Sequence, residues 1–348
     1  MQLIKILLFL LGIAVIALLV LLLGLEDIRS SLSGLTLWQL LLLFCLQIAT
    51  LLAGSWMWYR LLRKKGPISF SEVFLVNQAS ALLEKLTPSV KLGGEAAKVF
   101  LLRQRTGHAY SDLTGILVLQ KFLSLAPFAL LCLMVLLPAL YLFNLPAALY
   151  AALPALLLIL AVLGVLCSPG RQQGRDTEQA WKDHPGQEKV GKLAGRVPHI
   201  KAKIRLFLES SRRTASTLLT KKETAELLTL SLGIWIFYPL KVYLVCSFLG
   251  LDPGILMIAV STLAAYLVSM LPLLPGGLGS YEGTMALVFT LADLDPAQGM
   301  AVALVSRSAT FWFPMLLSAV SGLILAFSAA EGAAGKATAT SEGSASGN

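Results

Sequence analysis

The sequence predicts an all-α polytopic membrane protein with about 7–8 transmembrane helices and one or two re-entrant or broken helices. Three observations lead to this fold class. Hydrophobic residues make up 57% of the chain and charged residues 14%, against roughly 25% charged in an average soluble domain. Several long stretches carry no charge, and basic residues collect after particular stretches. Such helices are stable in a bilayer because each satisfies its own backbone hydrogen bonds.

Charge-free runs mark the candidate spans. A hydrocarbon core of ~30 Å requires about 20 apolar residues in a helix, and Ile6–Leu25 meets that length. Lys5 precedes it as in a secretory signal, but the run is too long for one and lacks a cleavage site, so we expect a membrane helix. The further candidates are Leu35–Tyr59, Phe122–Gly170 as a helical hairpin, Leu227–Leu251, Gly254–Leu271 and Ser308–Ala330, with a shorter run at Gly283–Ala292.

Basic residues orient these spans. Four of them follow the second span, at Arg60, Arg63, Lys64 and Lys65. The segment 171–222 carries 13 of the 28 lysines and arginines against 5 acids, which is +8 of the net charge of +9. Loops rich in lysine and arginine stay on the cytoplasmic side. We therefore expect a multi-pass protein of the cell inner membrane with a cytoplasmic amino terminus.

The segment 171–222 is expected to be a basic cytoplasmic loop with an amphipathic helix over 200–220. Its charge suits an anionic lipid surface. Nucleic acid is a poor fit, because few aromatic residues that could stack on bases, such as Trp181, are interleaved with the basic ones. About fifty residues leave no room for a catalytic domain, although the segment could anchor a partner protein. We assign residues 1–330 to one transmembrane domain and 331–348 to a disordered low-complexity tail.

Cysteine and histidine spacing predicts no metal site. The four cysteines form no CxxC pair, and the three histidines share no ligand spacing. A Walker-type phosphate loop is also lacking. No cofactor is therefore expected, and any transport would run without nucleotide hydrolysis.

The most informative segment is Pro275–Glu282, inside the otherwise uncharged run Gly254–Ala292. A carboxylate and a broken helix are both costly in a bilayer, so a chain that keeps both is expected to use them. Arg307 lies in an otherwise uncharged run and is the expected partner of Glu282. The glycines of the break are Gly276, Gly277 and Gly279.

A second broken segment lies at 84–98. It follows Phe70–Leu83, which is short for a span, and basic residues come after it, so the chain is expected to dip into the membrane and return. Its candidate site residues are Gly93, Gly94, Glu95 and Lys98. Paired Gly/Pro-interrupted segments point to the binding site of a transporter built from internal repeats. A helix that begins at such a break can hold a lipid phosphate at its N-terminus.

Structural alternatives stay open for each feature. The glycines can serve close helix packing, and Glu282 with Arg307 can be a structural ion pair. The segment around Glu95 can be an ordinary loop. Lys121 and Lys241 can extend from span ends towards the interface.

The chain resembles the membrane-domain family named for lysylphosphatidylglycerol synthase, also described as flippase-like. The resemblance covers roughly 1–330 and rests on three features: Pro-Gly-Gly-Leu-Gly-x-x-Glu at 275–282, Arg307 with Phe311-Trp312 after it, and Pro88 with Gly93-Gly94-Glu95 and a basic residue. Lys98 stands where the family has arginine. Gln120-Lys121 stands where an acidic residue and an arginine are usual.

The resemblance implies a domain that moves a lipid between leaflets, without the aminoacyl-transferase domain of the two-domain synthases. Relatives are associated with aminoacylated phospholipids, hopanoid-type lipids and polyprenyl-phosphate pathways, so the lipid is not specified. The leading hypothesis is a translocase, not an enzyme, that admits an anionic or zwitterionic headgroup to a polar cavity. The alternative is a membrane-embedded glycosyltransferase using a polyprenyl-phosphate sugar, with Asp293 and Asp295 holding a metal. Against it, Asp295-Pro296 has the pattern of a helix N-cap.

Overall fold

The computed structural model describes residues 2–86, 92–143, 154, 156–157, 218–271 and 274–328. Within these ranges the chain is helical and contains no strand. Several predictions fall outside the described residues: Pro88, the second half of the hairpin predicted for Phe122–Gly170, most of the basic loop 171–222, and the tail 331–348. The all-α class predicted from the sequence is confirmed.

Ten helices are described. They are α1 (Gln2–Leu22), α2 (Leu25–Leu32), α3 (Leu37–Leu62), α4 (Phe70–Leu86), α5 (Leu92–Thr106), α6 (Tyr110–Leu142), α7 (Lys221–Phe248), α8 (Ile255–Ser269), α9 (Ser280–Thr290) and α10 (Pro296–Ser328). A short 3₁₀ turn, Pro275–Gly277, precedes α9, and a π-helical turn, Ser308–Trp312, interrupts α10.

Four described helices are long and apolar enough to cross a membrane: α3, α6, α7 and α10. The pair α1–α2, bent by 90° between them, adds a fifth if it is one span. The predicted count of seven to eight therefore stays a prediction. The run Gly254–Leu271, expected to be a span, forms a helix of only 15 residues. Helix α6 begins at Tyr110 rather than near Phe122, so Lys121 lies within the helix and not at its start.

One end of the bundle, here called the basic end, gathers the C-terminus of α3 and the N-termini of α6 and α7. Three ion pairs join these ends: Lys64 with Glu223, Arg60 with Glu226 at 3.3 Å, and Lys65 with Asp112 at 3.0 Å. Helix α10 ends there too, since Leu325 packs with Leu62 and Leu227. Helices α3 and α10 therefore run towards the basic end, and α6 and α7 run away from it.

Helices α4 and α5 fold back on each other. Gly94 packs so closely that a Cβ there would lie 2.5 Å from Glu84 Cβ and 2.9 Å from the Ser80 carbonyl oxygen. The residues that flank the pair also meet, because a Cβ on Gly66 would lie 3.2 Å from His108 Cε1. The hairpin α4–α5 thus starts and finishes at the basic end.

Helices α8 and α9 form a second hairpin that opens at the opposite end. Leu256 near its start and Leu291 after its finish pack in one apolar cluster. A Cβ on Gly277 would lie 2.5 Å from Ser269 Cβ, which closes the tip. This tip reaches α4, since a Cβ on Gly276 would lie 3.5 Å from the Lys85 carbonyl oxygen. The tip of the α8–α9 hairpin therefore meets the C-terminal end of α4 in the first hairpin.

Candidate functional site

The tip of the second hairpin carries a buried ion pair. Arg307 Nε donates to Glu282 Oε1 at 2.9 Å, and the two side chains are 5% and 0% exposed. The pairing predicted from the sequence is therefore present. Because both charges are withdrawn from solvent, each relies on the other for stabilisation.

Arg307 is held on several sides. Its Nη2 donates to the Gly276 carbonyl oxygen at 2.7 Å. Its guanidinium lies over the rings of Tyr281 and Phe311, with Cζ 4.7 Å and 4.3 Å from the two centroids. The π-helical turn of α10 begins directly after Arg307, and such turns often occur at functional sites. One side chain thus ties α10 to both the break and the start of α9.

Local backbone geometry and close packing explain why glycine occupies the three positions of the break. Gly276, Gly277 and Gly279 adopt φ of +61°, +66° and +77°, a region that disfavours side chains. A Cβ on Gly279 would also lie 2.5 Å from Val15 Cγ1 of α1. These glycines therefore serve both the turn and close packing, so the packing alternative holds beside the proposed site role.

The N-terminus of α9 is occupied by its own glutamate. Glu282 Oε2 accepts a hydrogen bond from the Gly279 N–H at 2.7 Å, in the manner of a capping box. The sequence led us to expect this terminus to be available to a phosphate. In this structure Glu282 uses one oxygen for the helix and the other for Arg307, so an incoming anion must displace the carboxylate.

A second buried cluster lies between α5 and α6. Gly93 and Gly94 stand in the first turn of α5, followed by Glu95, which is 6% exposed. Glu95 Oε2 lies 3.4 Å from Lys98 Nζ, and Oε1 lies 2.5 Å from Lys121 Nζ. The Lys98 ammonium also lies 4.7 Å from the centroid of the Trp58 ring.

Lys121 was not among the predicted site residues. The sequence offered an interfacial position for the Lys121 side chain, since its neighbour is Gln120 rather than an acid. The carboxylate comes instead from α5, which no local pattern around Lys121 reveals. Glu95 thus lies between two lysines, Lys98 and Lys121, and Glu84 of α4 is a second carboxylate close to this cluster.

Lys241 is a further buried cation. It is 1% exposed, and its Nζ donates to Gln47 Oε1 at 2.5 Å and to Thr50 Oγ1 at 3.1 Å. The interfacial position expected for it is wrong, because these polar groups of α3 draw it inwards. The sequence did carry a signal: Gln47 and Thr50 are polar residues three apart in an otherwise apolar helix.

Asp295 caps a helix. Its Oδ1 accepts from the Ala297 N–H at 2.8 Å, and Pro296 is the first residue of α10. This agrees with the capping alternative considered for Asp295. Among the described residues, no group of three or more histidine, cysteine, aspartate or glutamate side chains is placed to hold a metal.

Comparison with known families agrees with the geometry. The model of the lysylphosphatidylglycerol synthase transmembrane region matches residues 9–318, which include both hairpins, Glu282 and Arg307. This protein belongs to that family. The family membership and the apolar helices identify a multi-pass membrane protein.

Curated relatives in this family are archaeal membrane proteins designated UPF0104. One from Methanothermobacter thermautotrophicus is 28% identical over 236 residues, covering 66% of this chain and 68% of its own length. One from Pyrococcus horikoshii is 22% identical over 266 residues, covering 73% and 76%. A second from Methanothermobacter is 23% identical over 314 residues, covering 86% and 87%. These names specify a membrane location and no activity.

Proposed function

We propose that this protein is a lipid translocase of the inner membrane, which moves a lipid with an anionic or zwitterionic headgroup between leaflets. One observation carries the proposal: the buried Glu282–Arg307 pair sits at the tip of a broken hairpin where that tip meets the other hairpin. A polar contact of this kind at the meeting point of two interrupted segments is typical of transporter binding sites.

Helix lengths support a re-entrant interpretation of both hairpins. At 1.5 Å per residue, α4 is ~25 Å long, α5 and α8 are ~22 Å, and α9 is ~16 Å. Each is short for a membrane crossing, and each hairpin has both of its ends on one side. The hairpins then enter from opposite faces, as an inverted repeat would. If the basic end is cytoplasmic, α4–α5 enters from the cytoplasm and the amino terminus lies on that side.

The ion pair accounts for both closure and recognition. Removing one partner of a buried pair costs about 3–5 kcal/mol, since the other charge is left uncompensated. The pair therefore stays closed until another anion replaces Glu282 on Arg307. A lipid phosphate is suited to this exchange, because guanidinium binds phosphate and carboxylate in the same geometry. Displaced Glu282 keeps its helix-capping bond or takes up a proton.

The Glu95 cluster supports a first contact on the cytoplasmic side. Lys121 is 37% exposed while Lys98 and Glu95 are buried, so one ammonium group of the cluster is accessible from outside the bundle. An anionic headgroup is attracted to this ammonium group, with its acyl chains remaining in lipid. From there the headgroup moves towards the Glu282–Arg307 pair.

The test is leaflet exchange in proteoliposomes. Vesicles of phosphatidylcholine with a trace of fluorescent phosphatidylglycerol are bleached by dithionite from outside, which reports arrival in the outer leaflet. We expect exchange above protein-free vesicles, lowered about tenfold or more in Arg307→Ala and Glu282→Ala. Arg60→Ala, which breaks an exposed ion pair, is the matched control and should retain exchange.

A double variant separates transport from folding. Glu282→Gln with Arg307→Met removes both charges at near-constant volume, which is often neutral or stabilising, and glutamine can still cap α9. This variant should melt like the wild type but exchange no lipid. Exchange at the wild-type rate would contradict the proposal. So would metal-dependent sugar transfer lost in Asp295→Ala with no lipid exchange, which would favour a glycosyltransferase.

A further inference from the structure

Lys241 is a buried cation that the Glu282–Arg307 site does not use. Its ammonium donates to Gln47 and Thr50 and lies 4.4 Å from the centroid of the Tyr238 ring. Among the described residues, no carboxylate lies within ion-pair distance of it. A charged lysine within a membrane helix is costly and is rarely found there without a function. Neutral partners reduce that cost without cancelling the charge.

Helix positions place Lys241 between the two clusters already described. Counted at ~1.5 Å per residue from the basic end, Lys98 stands ~12 Å along α5 and Lys121 ~16 Å along α6. Thr50 and Gln47, which hold Lys241, stand ~18 Å and ~22 Å along α3. Leu227 of α7 and Leu325 of α10 pack in one cluster at this end. Counted from these two residues, Lys241 stands ~21 Å along α7 and Arg307 ~27 Å along α10. The buried cations thus follow one another at successive depths.

Aromatic contacts connect Lys241 to Arg307. The rings of Tyr238 and Tyr266 lie 4.8 Å apart, and those of Tyr266 and Tyr281 lie 5.2 Å apart. The guanidinium of Arg307 lies over Tyr281 at the end of this row. The two cations are therefore joined by one continuous row of three tyrosines.

We infer that Lys241, with Gln47 and Thr50, forms an intermediate binding position for the phosphate of a lipid headgroup, between the Glu95 cluster and Arg307. This inference rests on the proposed translocation. Amide and hydroxyl groups can donate as well as accept. When a phosphate arrives, Lys241 turns its hydrogen bonds to it, and the Gln47 amide and Thr50 hydroxyl can each donate a further one. A carboxylate in place of Gln47 would neutralise the lysine and repel the phosphate.

The sharpest test is Gln47→Glu. If Lys241 merely joins α7 to α3, a carboxylate partner should preserve or strengthen that link and leave transport unchanged. If Lys241 receives a phosphate, the same change should keep the thermal midpoint at or above wild type and lower exchange of fluorescent phosphatidylglycerol about tenfold or more. Lys241→Met should lower exchange similarly, while Lys241→Arg, which keeps the charge, should retain most of it.

The outcomes separate this inference from the proposed function. No exchange by the wild type with any lipid would reject the translocase itself. Exchange by the wild type, with normal rates in Gln47→Glu and Lys241→Met, would reject the role of Lys241 and leave the translocase standing. Uptake of radiolabelled inorganic phosphate that depends on Lys241, without lipid exchange, would assign the position to free phosphate and overturn both.

Discussion

Gly276 offers a quantitative test of how the hairpin tip holds Arg307. Its φ is +61°, and a Cβ there would lie 2.3 Å from Phe311 Cε2 and 2.7 Å from Phe311 Cζ. The Phe311 ring is 3% exposed and covers the Arg307 guanidinium. It therefore cannot swing aside without uncovering that charge. Gly276→Ala should destabilise the protein through both the backbone and the ring.

The chain supplies a matched control for the backbone contribution. Gly250 has φ of +69°, and no atom lies within 4 Å of a Cβ built there. Left-handed backbone costs an alanine about 1–2 kcal/mol, so Gly250→Ala should lose that much. Overpacking in a tight core costs about 1–3 kcal/mol more. We therefore expect Gly276→Ala to lose about 2–5 kcal/mol in total.

The free energy of unfolding is measured by far-ultraviolet circular dichroism during titration of mild-detergent micelles with dodecyl sulfate. A double-mutant cycle isolates the clash. In a Phe311→Leu background the ring edge is gone, so Gly276→Ala should cost only the backbone contribution of Gly250→Ala. The reasoning is refuted if Gly276→Ala costs no more than Gly250→Ala in the wild-type background.

Two further predictions concern the capping aspartate and the Glu95 cluster. Asp295→Ala should lower the free energy of unfolding by about 1 kcal/mol, the value of a lost N-cap, and a chelator should not change the melting curve of the wild type. Lys121→Met removes one of two lysines from Glu95 and should cost about 1–2 kcal/mol in the same titration. Lys65→Met should cost less than about 1 kcal/mol, because its partner Asp112 is exposed whereas Glu95 is buried. Equal losses in the two lysine variants would contradict a stabilising role for the buried carboxylate.

The boundaries of the long helices follow closely from composition. The run Leu35–Tyr59 became α3, Leu37–Leu62, because an uncharged stretch of that length satisfies both the bilayer and its own backbone. The prediction for α6 began too late, since charge alone was taken as a boundary. Lysine is compatible with a helix interior, and the acid that pairs with Lys121 lies on another helix.

The sequence predicts the partners of a buried ion pair most reliably when each partner is an isolated charge in an apolar run. Glu282 and Arg307 are the lone charges of two uncharged runs, so their pairing could be predicted across 25 positions. The position of Lys241 could not be predicted in this way. Its hydrogen-bond partner Gln47 lies 194 positions away and is neutral, so no charge pattern links the two.

By itself the sequence determined that this chain is an all-α membrane protein with two interrupted segments, and it identified Glu282 with Arg307. Those conclusions follow from the cost of charges and broken helices in hydrocarbon. That cost depends on the residue type and its immediate neighbours in the sequence, and not on which helices pack together. Only the tertiary structure decided that the tip of the α8–α9 hairpin meets the C-terminal end of α4, that Glu282 caps its own helix, that Lys121 pairs with Glu95, and that Lys241 is buried. Each of these depends on which helices become neighbours, and that is a property of packing between distant segments.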